Sequence, residues 1–160
     1  MKIEAIHLGP EVFELLDTEG FPTSDLGSSS SLNLLGVRKG ERLIGVVGLE
    51  VYGQDGLVRS LVVAPDRRGG GVGVKLVHEA EIHALSKGVS TLYLLTMTAA
   101  SFFSRIGYVS IERVAAPKFI SATAEFQSLC PASALLMRKV LSPDGNAVNI
   151  DKERASQSIP

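Results

Sequence analysis

The sequence predicts an α/β domain in which a mixed, mostly antiparallel sheet of about seven strands carries helices on both faces. Three observations point there. Two apolar stretches, Leu32 to Val37 and Leu43 to Tyr52, flank Arg38-Lys39-Gly40-Glu41-Arg42 in the pattern of a β-hairpin. A third apolar strand, Leu57 to Val63, runs through Ala64-Pro65-Asp66 and a glycine-rich loop into a helix. The remaining strands follow that helix, with one further short helix among them.

In chain order, Met1 to Leu8 is a weak first strand carrying Ile3, Ala5 and Ile6. Pro10 stands where a helix can begin, Val12, Phe13, Leu15 and Leu16 give it an apolar face, and Gly20 and Pro22 stop it. Phe21 to Ser31 turns to Ser, Gly, Asp and Pro, which reads either as a mobile loop near a substrate entrance or as a plain linker. In the second hairpin strand Ile44, Val46, Gly48, Glu50 and Tyr52 share one side, and Val47, Leu49 and Val51 share the other. Gln54-Asp55-Gly56 is the expected turn into the central strand.

Past the glycines, Gly73, Leu76, Val77, Ala80 and Ala84 recur at helical spacing, with Lys75, Glu79 and His83 away from that face and Lys87-Gly88 as the stop. Thr91 to Leu95 is the next strand. A short helix follows, with Ala99, Phe102, Phe103 and Ile106 on one face, Thr98 as its cap and Gly107 as its end. Tyr108 to Arg113 and Ser133 to Val140 are the last two strands, with Ala115 to Ala132 crossing between them. The domain therefore spans residues 1–141, and the polar stretch 142–160 reads as a disordered or loosely docked tail.

Composition narrows the function classes. A chain of 160 residues with 45% hydrophobic and 21% charged content suits one domain with a single core. The net charge of −1, with no basic block, gives no electrostatic footprint for nucleic acid. Cys130 is the single cysteine, so an internal disulfide and a cysteine-cluster metal site are excluded. It reads as a small buried hydrophobe, with a reactive thiol as the alternative. No signal-peptide pattern is visible, and the apolar run Leu43 to Val51 is too short for a bilayer, so a cytoplasmic protein with no membrane partner is expected. His78 and His83 lack a carboxylate partner at ligand spacing and read as surface residues, so no metal is expected.

The stretch Arg67-Arg68-Gly69-Gly70-Gly71-Val72-Gly73 has the composition of a phosphate cradle. A helix N-terminus offers unpaired N–H groups and the positive end of the helix dipole, glycines let that backbone approach an anion, and Arg68 adds a fork of donors. It is not a P-loop, because Gly73-Val74-Lys75 breaks the required Gly-Lys-Ser/Thr. It is not a dinucleotide fingerprint either, since Val74 stands where a third glycine would be needed. The spacing Arg68-x-x-Gly71-x-Gly73, after Leu61-x-Val63-x-Pro65 and before Leu76, resembles the acyl-CoA-binding motif of the Gcn5-related N-acetyltransferase (GNAT) superfamily. The segment Ala99 to Tyr108 resembles the superfamily's short helix before its sixth strand, usually written Phe-Tyr-x-x-Leu-Gly-Phe. Between Leu92 and Met137, Tyr93-Leu94-Leu95-Thr96-x-Thr98-Ala99, Ala116-Pro117, Glu125-Phe126 and Leu129-Cys130-Pro131 look like the amino-acid N-acetyltransferases found with arsenic-resistance genes, which acetylate arsinothricin and are akin to phosphinothricin acetyltransferases. Similar pieces occur in short enzymes of the N-acetylglutamate synthase type.

The resemblance implies an acyl-CoA N-acyltransferase fold with acetyl-CoA as cosubstrate, lying between the fourth and fifth strands where they splay apart. Backbone groups of Leu61, Val62 and Val63 would pair with the pantetheine arm and polarise the thioester carbonyl. The amides of Gly69, Gly70, Gly71, Val72 and Gly73, with Arg68, would take the pyrophosphate, and Thr98 and Phe103 would complete the cofactor residues. A base must deprotonate the acceptor amine, and Glu50, acidic on an apolar strand, is the candidate, with a plain strand-end carboxylate facing solvent as the alternative reading of the same residue. Relatives often carry an acidic residue near position 57 and a tyrosine hydroxyl at 103. Leu57 and Phe103 depart from both, which favours a water-mediated base and leaves no assigned general acid, with Tyr52, Tyr93 and Tyr108 as the hydroxyls at hand. For an acidic amino-acid substrate, Arg59 in the central strand and Arg113 near the end of the sixth are the candidate anion anchors. A structural ion pair of Arg59 with Glu50 is the alternative. The expected reaction is acetylation of the α-amine of a small acidic amino acid or toxic analogue, with glutamate or another small amine as the rival acceptor. A catalytically silent acyl-CoA-binding module is the reading from another class. A homodimer is a superfamily habit.

Overall fold

The computed structural model describes residues 2–17, 32–122 and 134–142. The expected loop at 21–31, Cys130 and the tail from 143 onward lie outside them. The described elements are β1 (Ile3–Ala5), α1 (Pro10–Asp17), β2 (Leu32–Lys39), β3 (Arg42–Tyr52), β4 (Asp55–Val63), α2 (Val72–Ser86), β5 (Thr91–Thr96), α3 (Ala100–Arg105), β6 (Val109–Ile111), α4 (Lys118–Ser121) and β7 (Leu135–Val140), with 3-10 turns at Pro65–Arg67 and Arg113–Ala115. The strands form a seven-stranded sheet in the order β1-β2-β3-β4-β5-β7-β6. β1 with β2, β2 with β3, β5 with β7 and β6 with β7 are antiparallel, whereas β4 and β5 are parallel. The expected mixed, mostly antiparallel α/β sheet is thus the observed one.

Contacts divide the chain into two compact units, one of residues 1–50 and 58–83, the other of residues 51–57 and 84–160. In the first, α1 starts at Pro10, whose missing N–H costs nothing at a helix start, and Val12 and Phe13 donate back to Gly9 O. Its buried side chains are Val12, Leu15 and Leu16. The β2–β3 hairpin closes through Gly40, whose φ of 62° is the left-handed value that a two-residue turn requires. β3 is buried without interruption from Leu43 to Glu50, which is why it reads as a run of apolar residues and glycines rather than an alternation. α2, whose residues to His83 belong to this unit and whose last turn from Ala84 belongs to the second, buries Leu76, Val77, Ala80 and Ala84, the face that its spacing predicts, and also Glu81. The helix ends as expected, with Gly88 at φ 86° and the amides of Gly88 and Val89 returning to Leu85 O and Ala84 O.

Gly45 sets how closely α2 meets β3. A Cβ there would stand 2.9 Å from Leu76 Cδ1, 3.1 Å from Val37 Cγ1 and 3.3 Å from Val72 Cγ1. The first turn of α2 therefore rests on bare backbone.

In the second unit, Leu57, Tyr93, Ile120 and Leu136 form a core cluster, with Tyr52, Leu95, Ile111 and Ala116 packed against it. The ladder between β4 and β5 comprises three pairs, Asp55↔Thr91, Gly56↔Leu92 and Leu57↔Tyr93. Ser90 donates its N–H to Gln54 O and accepts from Leu141 N–H, which fastens the start of β5 on both sides.

Strand ends shift by one to three residues at several places, and four departures from the expected boundaries have a visible cause. The turn before β4 uses Gly53 at φ 67°, so Asp55 and Gly56 already belong to the strand. Thr98 does not cap α3; Ala99 N–H donates to Thr96 Oγ1 at 2.9 Å instead. β6 begins at Val109 rather than Tyr108, because the Tyr108 amide is spent on Phe103 O as the end of α3, where Gly107 has φ 102°. It also stops at Ile111, as the chain tightens into the 3-10 turn at Arg113–Ala115. Among the described residues no helix is long and apolar enough to cross a membrane.

Replacing Gly45 by valine forces three carbons into the Leu76–Val37–Val72 contact. The expected cost is about 1–3 kcal/mol of overpacking, read as a lowered midpoint of thermal unfolding. An unchanged midpoint would show that α2 does not need this close approach.

Candidate functional site

The glycine loop is built as its composition requires. β4 ends at Val63, Pro65–Arg67 forms one 3-10 turn, Arg68 is extended, and Gly69 and Gly71 both take φ 84° before α2 starts at Val72. Residues with a Cβ rarely adopt that value, so glycine is dictated by the backbone. A Cβ built on either would meet nothing within 4 Å, so the outer face of the loop is open. Lys75 N–H to Gly71 O, at 3.1 Å, closes the first helical turn. The amides of Val72, Gly73 and Val74 precede that bond and have no carbonyl of an earlier helical turn to take them, which is the donor set that an anion needs.

Three contacts brace this loop. Ala64 N–H donates to Ile44 O at 2.8 Å, Arg68 Nε donates to Val63 O at 3.0 Å, and Arg42 grips Asp66 with both terminal nitrogens, at 2.7 and 2.8 Å. The Arg42 hydrogen bonds hold the Asp66 carboxyl at about 2, well below its ordinary range, with the charges of Arg42 and Arg67 adding to the effect. Sequence reasoning named Arg68 but missed Arg42, whose role depends on the strand register that brings it to the turn.

β4 contains the other unusual feature. Ser60 has φ 58° and is the one non-glycine residue with positive φ among those described. That conformation costs about 1–2 kcal/mol in an L-residue. Beside it, Arg59 Nη1 donates to Glu50 Oε2 at 3.0 Å in an ion pair whose side chains are 0% and 3% exposed. Arg59 Nε also lies 3.3 Å from Ser60 Oγ. The Arg59–Glu50 pairing left open by the sequence is therefore present. A substrate anion would reach Arg59, and an amine would reach Glu50, only by opening a buried pair.

Leu61, Val62 and Val63 complete β4, with Val62 buried and its neighbours half-buried. Residues 50, 59, 61–63 and 68–73 all belong to the first unit, whereas Thr98, Phe103 and Arg113 belong to the second. Thr98 is exposed. Phe103 is buried and packs edge-on against Phe102 and Tyr108, with ring centroids 5.0 and 5.5 Å away. Arg113 is half-buried and donates from Nη2 to Ala134 O at 3.1 Å. Of the tyrosines at hand, Tyr108 is enclosed, and burial pushes the Tyr93 phenol up, with Asp55 adding to the shift. Lys139, which sequence reasoning passed over, is buried on β7, donates from Nζ to Ile106 O at 2.8 Å and lies 5.6 Å from the Tyr108 ring centroid. His78 is exposed, and a ring nitrogen of His83 lies 3.4 Å from Asn33 Oδ1. No group of three metal-ligating side chains occurs among the described residues.

Because the folded Asp66 carboxyl titrates at about 2 rather than 3.8, its pair with Arg42 contributes fully above the ordinary aspartate range and is lost as pH falls through that interval. Arg42→Ala should bring the Asp66 midpoint back up toward 3.8 in a carboxyl NMR titration, with little change in stability at neutral pH because both side chains are exposed. An unmoved midpoint would mean that Arg42 does not set it.

A family model described as an acetyltransferase (GNAT) domain matches residues 31–110, half of the chain. Over 63 residues the chain is 38% identical to an uncharacterized N-acetyltransferase of Chlorobaculum tepidum, a match covering 39% of this chain and 40% of that protein. The N-acetylglutamate synthase of Neisseria gonorrhoeae, solved with coenzyme A and N-acetyl-glutamate, is similar with a TM-score of 0.73 at 20% identity, over 88% of this chain and 35% of that one. An acetyltransferase of the GNAT family from Staphylococcus aureus gives a TM-score of 0.68 at 15% identity, over 88% of this chain and 100% of that one. The matches thus span well under half the length of the first two proteins, and identities of this size in solved structures speak for the fold alone. With the family model on half of the sequence, the chain belongs to the GNAT acetyltransferase family.

Proposed function

We propose that the chain is an acetyl-CoA-dependent N-acetyltransferase acting on the α-amine of a small acidic amino acid, with arsinothricin- or phosphinothricin-like analogues as the leading acceptors. The observation that carries the proposal is the loop with Gly69 and Gly71 at φ 84°, open on its outer face and leading into the first amides of α2. Those amides and Arg68 suit a pyrophosphate, and the backbone of Leu61 to Val63 suits an extended pantetheine arm. Acetyl-CoA supplies the acetyl group as an activated thioester. The acceptor nitrogen forms the new C–N bond, the C–S bond breaks, and the thiolate takes its proton from solvent, since Phe103 has no hydroxyl to give. The amine proton leaves to water. Glu50, the base expected from sequence, already holds Arg59, and a buried pair is a poor exit for that proton.

The acceptor class rests on the sequence resemblance between Leu92 and Met137 and on the N-acetyl-glutamate bound by the Neisseria gonorrhoeae enzyme. With Arg59 committed to Glu50, Arg113 is the cation we assign to the acceptor's anionic end. Acetylation would remove the charged amine through which such a toxin imitates glutamate, which makes the reaction a detoxification. The proposal takes the enzyme to be cytoplasmic and, following the family resemblance, homodimeric. Phe103 and Leu57 in place of polar residues favour one second reading, an acyl-CoA-binding module without turnover.

Thiol release from acetyl-CoA with arsinothricin, phosphinothricin, glutamate, aspartate and unrelated amines tests the proposal. Preference for the first two is expected, preference for glutamate would move the reading to metabolism, and coenzyme A binding without release would support the module. Gly71→Val, which places a β-branched residue at φ 84°, should raise the acetyl-CoA KM at least about tenfold with circular dichroism unchanged. Arg113→Ala should raise the acceptor KM and leave the acetyl-CoA KM in place, and an equal rise in both would remove Arg113 from the acceptor site.

A further inference from the structure

A buried ion pair needs a reason. Two charges taken out of water lose hydration that their attraction only partly repays, and apolar residues of similar volume commonly serve stability as well. Here the pair adjoins the one non-glycine residue with positive φ among those described, and four observations tie the two together. Arg59 Nη1 is 3.0 Å from Glu50 Oε2, and Arg59 Nε is 3.3 Å from the Oγ of Ser60, the next residue. Ser60 itself sits at φ 58°. On β3, a Cβ at Gly48 would stand 3.2 Å from both Arg59 Cγ and Arg59 O, so the arginine stem and backbone lie against bare strand two residues before Glu50.

We infer that Glu50 and Arg59 are positioning residues: the pair clamps β4 against β3 and holds the left-handed kink at Ser60, which sets the direction of the Leu61 to Val63 amides. A left-handed residue inside a strand interrupts the regular alternation of N–H and C=O groups and bends the chain beyond it. Serine does not choose that conformation unaided, so the surroundings must impose it. Gly48 leaves room for the arginine, Glu50 fixes its far end, and the hydroxyl of Ser60 takes its Nε. The inference rests on the acetyl-CoA reading only in assigning those amides to the cofactor; the clamp itself stands on the geometry of β3 and β4. It gives Glu50 a role that needs no proton transfer.

Glycine adopts positive φ without help, so Ser60→Gly should make the clamp dispensable. The experiment compares the full chain with Glu50→Gln, Ser60→Gly and the double variant, reading coenzyme A affinity by calorimetry and the thermal midpoint of each. Glu50→Gln should weaken coenzyme A about tenfold, Ser60→Gly should leave it within about twofold, and the double variant should recover most of the loss. The midpoint should likewise fall less on Glu50→Gln when glycine stands at 60. An equal Glu50→Gln defect in both backgrounds, in affinity and in midpoint, overturns the clamp. Unchanged coenzyme A affinity with lost turnover would return Glu50 to the role of base, and also overturns it. If the unaltered protein does not bind coenzyme A, the cofactor reading fails, and the midpoints alone then decide the clamp by their non-additivity. Should Glu50→Gln not fold, Ser60→Val with Glu50 intact replaces it: a β-branched residue at positive φ should weaken coenzyme A about tenfold, and wild-type affinity with a wild-type midpoint overturns the inference.

Discussion

The first unit depends on how closely α2 approaches β3. At Gly45 the helix side chains Val72 and Leu76 occupy the volume that a strand side chain would fill, so the N-terminal turn of α2 is fixed against strand backbone rather than against a deformable layer of side chains. β3 can accept this because both of its faces are covered, and from Leu43 to Glu50 nothing on it needs water except the one carboxylate that Arg59 neutralises. The glycine loop inherits its position from that contact: it leaves β4 at one end, enters α2 at the other, and is tied to β3 through Ala64 N–H on Ile44 O and Asp66 on Arg42. Dispersion and area burial hold the frame, at about 1.5–3 kcal/mol for each fully buried Val or Leu side chain. The polar contacts add direction rather than bulk stability.

Charge is used in two ways in this unit. The Arg42–Asp66 fork is exposed, screened by salt and cheap to break, and its work is local, holding a turn. The Glu50–Arg59 pair is dry, and losing either member would strand a charge in the interior. The same pairing chemistry is therefore weak at the rim of the loop and hard to remove within the strand. A comparable economy operates in the second unit, where Lys139 reaches the carbonyl at the end of α3 and lies near the Tyr108 ring, so one buried ammonium meets both a helix terminus and an aromatic face.

Much of this could be read from the residues because the deciding signals are local. Apolar runs separated by turn residues placed the strands, Leu76, Val77, Ala80 and Ala84 placed the buried face of α2, and the glycines at 69 and 71 placed the loop. What could not be read is set by contacts distant in sequence. Nothing around Ser60 announces positive φ, since serine is at home in an ordinary strand and the kink arises where β4 meets Gly48 and Glu50 of β3. The choice between Thr96 and Thr98 as the group receiving the Ala99 amide turns on a shift of two residues, finer than propensity can decide. α4, with four residues after Pro117, is too short to show a period at all. Glu50 and Arg59 were both singled out as charged residues in apolar strands, and their ion pair was one of two readings the sequence left open; the contact itself decides between them.

The loop between β4 and α2 offers main-chain amides to its ligand, and amides carry no proton that comes and goes in the physiological range. On the proposed reading, the protein's side of the grip on the cofactor's phosphates therefore does not titrate near neutrality, and the acceptor's own amine is one group through which pH sensitivity of the reaction enters. The same choice of donor loosens the hold of selection on side chains: what must be inherited is a pair of backbone angles at 69 and 71, and much of the surrounding sequence is free to drift around them. The two solved structures at 20% and 15% identity share the fold with this chain at that distance in sequence.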